Sequence, residues 1–375
     1  MPLYHATASI LITSSCIYNG CTLVLGRKFS VRTFWHEVME SDATLIHYVG
    51  ETLRYLLSAP PLMDPSTGQN MDRNHKVRLA FGNGLRPDIW RQFKVRFGIH
   101  EILEWYGATE APVSLWNRSA NDLSAGAMGR LGSVASLLLG RVMAVVELDH
   151  ETDSPWRDSK TGFAKHVSSG EPGELLYKLD PKNIEKTYHG YYNNKAASES
   201  KILRNVFSKG DAWYRSGDIV RTNHDGCWYF SDRIGDTFRW KSENVSTNEV
   251  SDALSRHPAI DAANVYGIEL PHHDGRTGCA AGLLNTSVTL SSDLLRDLAI
   301  HAKASLPRYA VPLFIRVVSE MQTTGNNKYQ KNVLRKQGAD PTQQGDDHLF
   351  WLQNDGYVPF RMEDWQSMNA GQIKL

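Results

Sequence analysis

The residues best suited to chemistry sit in short polar strings, several at the ends of apolar runs. Tyr106-Gly107-Ala108-Thr109-Glu110 follows the apolar Ile102-Leu103. A parallel strand that ends in a glycine turn puts small polar groups at the carboxyl edge of a sheet, where ligands bind in open α/β folds. There the Thr109 hydroxyl can donate to a phosphate oxygen. The Glu110 carboxylate can hold Mg²⁺, a hard cation that takes oxygen ligands together with phosphates. Alone, the string reads equally well as a strand-to-loop turn with an exposed glutamate. Gly82-Asn83-Gly84-Leu85-Arg86 also follows a strand. Its two glycines allow positive φ and the close backbone approach that a planar base needs, although by itself it reads first as an ordinary turn.

Further strings lie downstream. Tyr214-Arg215-Ser216-Gly217-Asp218 is expected just before a strand. An aspartate at such an edge can accept both hydroxyls of a ribose, and a β-turn aspartate is the plainer reading. In Asp232-Arg233-Ile234-Gly235-Asp236, Arg233 offers a positive donor to ribose or phosphate. Gly235 marks a change in the style of the chain, so the string is either a hinge or a linker with an incidental ion pair. Gly325-Asn326-Asn327-Lys328 is a polar turn ahead of a basic helical stretch, 329–336. A lysine on such a loop can neutralise charge that builds on a carboxylate and a pyrophosphate. Lys331, Arg335 and Lys336 are its basic neighbours. His5 either borders an acyl channel or belongs to the core. His272-His273 read as loop residues without a third ligand at metal spacing.

The elements that must position these strings follow from pattern. In the first third, apolar strands alternate with helices: Thr22-Leu25, Ala43-Gly50 and Val77-Phe81 as strands, Phe34-Ser41, Glu51-Ser58 and Pro87-Phe97 as helices. That alternation argues for a parallel α/β sheet. Ala8 to Gly26 reads as a buried helix, a glycine turn and a strand, too interrupted for a membrane span. From Gly129 to Phe230 short strands (Val142-Leu148, Glu174-Tyr177, Ile219-Thr222, Cys227-Phe230) sit between turns, which suggests a small, barrel-like β subdomain. After Gly235 comes a compact α+β unit. The polar tail after Gly338, with its scattered aromatics, is expected to dock on the surface.

Composition sets the outer limits. With 375 residues the chain can build two domains or more. Lys+Arg and Asp+Glu both number 41, and that balance argues against nucleic acid as a partner. Cys16, Cys21, Cys227 and Cys279 form no CxxC pair, so they are expected to be reduced and mostly buried, as in an intracellular protein. No signal peptide is evident. Ile373-Lys374-Leu375 comes near the peroxisomal Ser-Lys-Leu type, leaving cytoplasm or peroxisome.

In this order the strings resemble the adenylate-forming (AMP-binding) superfamily of acyl-CoA synthetases, and within it the fatty-acid transport protein or very-long-chain acyl-CoA synthetase branch. The match is carried by Pro2-Leu3-Tyr4-His5, Gly82 to Arg86, Tyr106 to Glu110, and the long stretch from Asp232 to Thr247. The resemblance runs nearly end to end. It implies a fatty acid, ATP with Mg²⁺, and CoA as reactants, and an acyl-AMP intermediate. By carry-over, Thr109 holds the AMP phosphate, Glu110 the Mg²⁺, and Asp218 and Arg233 the ribose. Gly82, Asn83, Gly84, Tyr106 and Gly107 complete the nucleotide site. Lys328 serves adenylation, and His5 borders the acyl channel. Gly235 and Asp236 form the hinge, and Lys241, Ser242 and Glu243 lie along the CoA path.

The implied fold is α/β. Residues 1–231 would form the remainder of the AMP-binding domain, its parallel-sheet part at 1–128 and its β subdomain at 129–231. A hinge at 232–236 leads to a mobile α+β domain at 237–375. Two departures stand out. No Ser/Thr/Gly-rich phosphate loop ending in lysine occurs upstream of His5, so that loop would precede Met1. Ser242 also stands where the family has glycine. Two alternatives therefore accompany the ligase reading: a non-catalytic AMP or acyl-AMP binder or partner of a full-length ligase, and a ligase for another carboxylic acid. Peripheral membrane association is compatible with each.

Overall fold

The computed structural model describes residues 3, 5–149, 152–241, 243–273, 275–323, 329–354, 356–373 and 375. The chain divides into two compact units, one ending at Phe230 and the other comprising residues from Ser231 onward, including Tyr329–Leu375.

The first unit opens with a π-helical stretch, Thr7–Thr13, and helix α1 (Ser14–Asn19), stopped by Gly20 in the left-handed region. Helix α2 (Phe34–Glu40), strand β1 (Leu45–Val49), helix α3 (Thr52–Ser58), strand β2 (Leu79–Asn83), helix α4 (Pro87–Phe97), strand β3 (Glu101–Tyr106) and strand β4 (Leu115–Ser119) follow. The sheet runs β1-β2-β3-β4, its first three strands parallel and β4 antiparallel. Helix α4 shows why the register is firm. Pro87 starts it where no amide donor is needed, Asp88 and Arg96 complement its dipole, and Gly98 ends it at φ +66. Its Ile89, Trp90, Phe93 and Phe97 pack with Leu53, Leu56, Tyr48 and Ile102. Each such buried side chain contributes roughly 1.5–3 kcal/mol.

Two expectations fail at the start of the chain. Thr22–Leu25 is not a strand, and Val24 and Leu25 are exposed. An extended segment gains its free energy from a paired ladder, and among the described residues β2 is the one partner of β1. Helix α1 buries none of its residues, with Ile17 and Tyr18 standing in solvent.

The rest of the first unit is β-rich: β5 (Gly129–Arg130), helix α5 (Ser133–Leu139), β6 (Met143–Val146), the ribbon of β7 (Leu148–Asp149) with β8 (Ser154–Pro155), β9 (Gly173–Leu179), helix α6 (Lys195–Glu199), β10 (Ile202–Arg204), β11 (Ala212–Thr222) and β12 (Cys227–Arg233). The pairing is β5-β12-β11-β9-β6, with β10 beside β11. Among the described residues it does not return from β6 to β5, so this is a sheet and not a barrel. Tyr214 to Asp218 lies inside β11 and not ahead of a strand. Its register against β9 shifts between Arg215 and Ile219, at a bulge.

The second unit begins with the hairpin β13 (Phe238–Trp240) and β14 (Glu243–Val245), then helix α7 (Thr247–Ser255), β15 (Ile260–Glu269), β16 (Arg276–Leu284), helix α8 (Ser292–Ser305), β17 (Phe314–Val318) and helix α9 (Asn332–Gln337). Strands β18 (His348–Gln353) and β19 (Gly356–Pro359) and helix α10 (Met362–Asn369) complete it. One sheet runs β15-β16-β17-β18-β19, with β16 and β17 parallel. Ser246 and Ser291 cap α7 and α8 through their side chains. The tail is core and not a surface graft: β18 and β19 extend the sheet and bury Phe350, Trp351, Tyr357 and Phe360. An aromatic-rich edge strand gains more by pairing than by lying on the surface. Of the four cysteines, all free, Cys227 and Cys279 are buried while Cys21 is exposed, so the expectation of mostly buried thiols holds for half of them.

Candidate active site

Parallel strands β2 and β3 end side by side, which brings the Gly82 and Tyr106 strings to one sheet edge. Gly107 follows β3 closely packed, since a Cβ there would stand 2.8 Å from the Trp105 ring. The chain then turns through Thr109, which is exposed, and Glu110, which accepts a hydrogen bond from the Tyr191 hydroxyl at 2.7 Å. Burial, then the bond and the charge of Glu110, push the Tyr191 phenol up to about 12.

Asp218 arrives from the β11 bulge. Its Oδ2 accepts from the Tyr106 hydroxyl at 2.6 Å, a bond across 112 residues that joins two of the strings. Gly217, beside it, has φ +77, a left-handed conformation that favours glycine. The bulge is braced from β9. Glu174, fully buried, accepts from Arg215 Nε at 2.8 Å and from the Gly217 amide at 3.1 Å. Burial raises the Glu174 carboxyl above its usual range, with Arg215 pulling the other way. Tyr177, Tyr188 and Tyr214 pack nearby, with Tyr188 and Tyr214 ring centres 5.0 Å apart.

The turn after β2 is built differently from its sequence reading. Only Gly84 takes a positive φ, +80. Gly82 is small for another reason: a Cβ there would lie 2.3 Å from the Tyr48 carbonyl oxygen and 2.6 Å from its ring. Glu104, on β3, holds this turn. Its Oε1 accepts from the amides of Gly84 and of Leu85, the latter at 3.0 Å, and its Oε2 accepts from the Tyr48 hydroxyl. Burial pushes the Glu104 carboxyl up to about 8, against the lowering pull of those three bonds. Glu104, Glu174 and Tyr191 are missing from the sequence reading. The one signal for Glu104 was an acidic residue amid the apolar run Ile102-Leu103-Glu104-Trp105-Tyr106.

The remaining candidates have contacts of their own. His5 bonds through Nδ1 to the Thr7 hydroxyl. Its positive form is among the influences, after burial, that pull His47 down to about 4. Arg233, Gly235 and Asp236 belong to the second unit. Lys241 adopts φ 51 and lies 5.8 Å from the Trp240 ring centre, and Glu243 is exposed on β14. Lys328 and Ser242 lie outside the described residues. Two concavities of about 310 and 460 Å³ are in the second unit, lined by Leu290, Phe350 and Pro359 among others, and neither touches these strings. Among the described residues no group of three or more His, Cys, Asp or Glu could hold a metal. Glu110 alone still suits Mg²⁺, which keeps several waters and takes one or two carboxylates beside phosphates. No described helix is long and apolar enough to cross a membrane.

Comparison with known proteins places these strings in a family. Residues 1–189 match the AMP-binding enzyme family, and residues 249–328 match the AMP-binding enzyme C-terminal domain. The very long-chain fatty acid transport protein of Cochliobolus heterostrophus is 43% identical over 380 residues, covering 100% of this chain and 57% of that protein. The medium/long-chain-fatty-acid–CoA ligase of Mycobacterium tuberculosis is 38% identical over 379 residues, covering 99% and 58%. The chain thus spans somewhat more than half the length of these relatives. A crystal structure of an anthranilate CoA ligase with anthranoyl-AMP shares the fold at TM-score 0.65 and 20% identity, over 85% of this chain and 55% of that one. With a family match over half its length and the Gly82 and Tyr106 strings at one sheet edge, the chain belongs to the AMP-binding enzymes.

Proposed function

We propose that this chain is the nucleotide- and acyl-handling part of an ATP-dependent long- or very-long-chain fatty acyl-CoA ligase. A fatty carboxylate attacks the α-phosphate of ATP, giving acyl-AMP and releasing pyrophosphate. The CoA thiol then attacks the acyl carbon, forming the thioester and releasing AMP. The observation that carries this reading is the Tyr106–Asp218 bond. It supports the reading by joining Asp218, proposed to bind the ribose, to the strand that leads into Thr109 and Glu110, proposed to meet the phosphate and its Mg²⁺. In this reading Thr109 donates to the AMP phosphate, Glu110 helps hold Mg²⁺, and Gly84 lies against the base. Lys328 and Arg233 supply positive charge, Gly235 is the pivot between steps, and His5 borders the acyl channel. Lys241 to Glu243 line the CoA path.

The chain spans somewhat more than half the length of its relatives, so its turnover is compared with that of a version extended at the N-terminus. The test is thioester formation from palmitate and longer acids, with calorimetry of AMP binding in parallel. AMP binding with weak turnover, raised strongly in a version extended at the N-terminus, is the expected result. AMP binding with no turnover in either version leaves a non-catalytic binder. Failure to bind AMP at all overturns the reading.

A further inference from the structure

Around Asp236, charges converge from three stretches of the second unit. Lys331, at the start of α9, donates from Nζ to Thr247 Oγ1 at 2.7 Å and to Asp236 Oδ2 at 3.3 Å. Arg335, one turn later, donates to Asp236 Oδ1 at 2.7 Å. Thr247, the first residue of α7, gives both its amide and its hydroxyl to Asp232, the hydroxyl at 3.1 Å from Oδ2. Asn248 adds an amide bond to Asp232 at 3.3 Å. Asp232 is buried, and the Lys331 side chain nearly so.

The electrostatics agree with the geometry. Burial draws the Lys331 amine below its usual range, and the carboxylates of Asp236 and Asp232 only partly offset this. For Asp236 burial works upward, but Lys331 and Arg335 outweigh it and hold the carboxyl low. Two anions and two cations thus neutralise one another in a part-buried site. Losing one partner there leaves an uncompensated charge. Between the two aspartates stands Gly235, at φ +87, with nothing within 4 Å of where a Cβ would be. The Asp236 and Thr237 amides donate to the Arg233 carbonyl across it, at 2.9 and 3.2 Å, and side-chain contacts fasten the chain on both sides of that turn.

We propose that Lys331 is a positioning residue that locks the chain around Gly235, holding Asp236 directly and Asp232 through Thr247. Turning about Gly235 then requires the Asp232–Thr247 contacts to open, while the Asp236 side stays fixed to α9. Lys331 therefore sets how readily the chain turns without touching the reactants. This rests on the reading of Gly235 as the pivot of a two-step ligase.

The test uses Lys331→Met, Lys331→Arg, Asp236→Asn and the double variant in the full 375-residue chain. Amide exchange followed by mass spectrometry reads the lock directly. In Lys331→Met, peptides covering 231–237 and 246–250 should exchange about tenfold faster, while β15 to β17 keep their rates. Lys331→Arg should restore protection. The double variant should be no faster than the faster single one, because both remove the same contact. Unchanged exchange at 231–237, or equal acceleration through β15 to β17, overturns the lock. Should Lys331→Met fail to fold, Asp236→Asn carries the same comparison. Acyl-AMP formation and thioester formation from supplied acyl-AMP are then measured separately. Their ratio should change by about threefold or more, whereas equal loss of both contradicts positioning. A wild-type chain that performs neither step defeats the ligase reading, yet the exchange rates still decide the lock.

Discussion

Glu104 and Asp236 each fix a turn with one carboxyl group, by opposite means. Glu104 meets two backbone amides and a phenol in a buried site, where its hydrogen-bond donors among the described residues are all neutral. There desolvation wins, and the group keeps its proton well above the usual range. Asp236 is partly open to water and meets two cations, so Coulomb attraction wins and the proton leaves early. The difference teaches that a buried carboxyl brace works as a neutral acceptor when its partners are neutral. It works as a charge only where charge answers it.

The sharpest way to break this comparison is Glu104→Ala. It strips the acceptor from two amides and leaves a void, and should cost about 3 kcal/mol or more in urea unfolding. Glu104→Gln keeps Oε1 and can face Tyr48 with its amide, so it should cost about 1 kcal/mol or less near pH 4.5, where the acid is largely protonated. A glutamine variant as damaged as the alanine one would mean that the charged form matters after all.

Next comes pH. Unfolded, Glu104 ionises near the ordinary glutamate value of 4.5, and burial pushes it up to about 8 in the folded chain. Its stabilisation is therefore complete below 4.5 and is lost as pH rises through 8. Glutamine cannot titrate, so Glu104→Gln should gain on wild type by a few kcal/mol between about pH 5 and about pH 9. A constant gap across that range contradicts the neutral brace. Asp236 has the reverse sign. Its contribution is present above the ordinary aspartate value of 3.8 and lost as pH falls through its lower folded value. Asp236→Asn should cost about 1–2 kcal/mol near neutrality, less in high salt and nothing once wild type is protonated. Denaturation at several pH values and two salt levels measures this. The smallest effect is expected for Tyr191→Phe, about 0.5–1 kcal/mol or less, since the bond to Glu110 is exposed. A larger loss would make the Glu110 turn a third structural brace.

Sequence pattern made the parallel sheet and α4 legible, because Pro87, Gly98 and the apolar spacing between them all act locally. The Thr109-Glu110 and Asp218 strings were legible as types. Their union through Tyr106 was not, because a bond across 112 residues leaves no local trace. Glu104 was hidden for a related reason: a charge in a strand reads as an outward face unless its partners are known. The exposure of α1 and the unpaired state of Thr22–Leu25 were misread because apolar residues predict burial only where a surface is available to cover them. The tail aromatics were misplaced because polar spacing hid the two strands they belong to.

Gly82 carries one more lesson. Its Cβ is forbidden first by the Tyr48 carbonyl and then by the Tyr48 ring, and that same ring delivers the hydroxyl that reaches Glu104. A smaller side chain at 48 would remove the ring but leave the carbonyl, so position 82 is held to glycine by the backbone of the neighbouring strand itself.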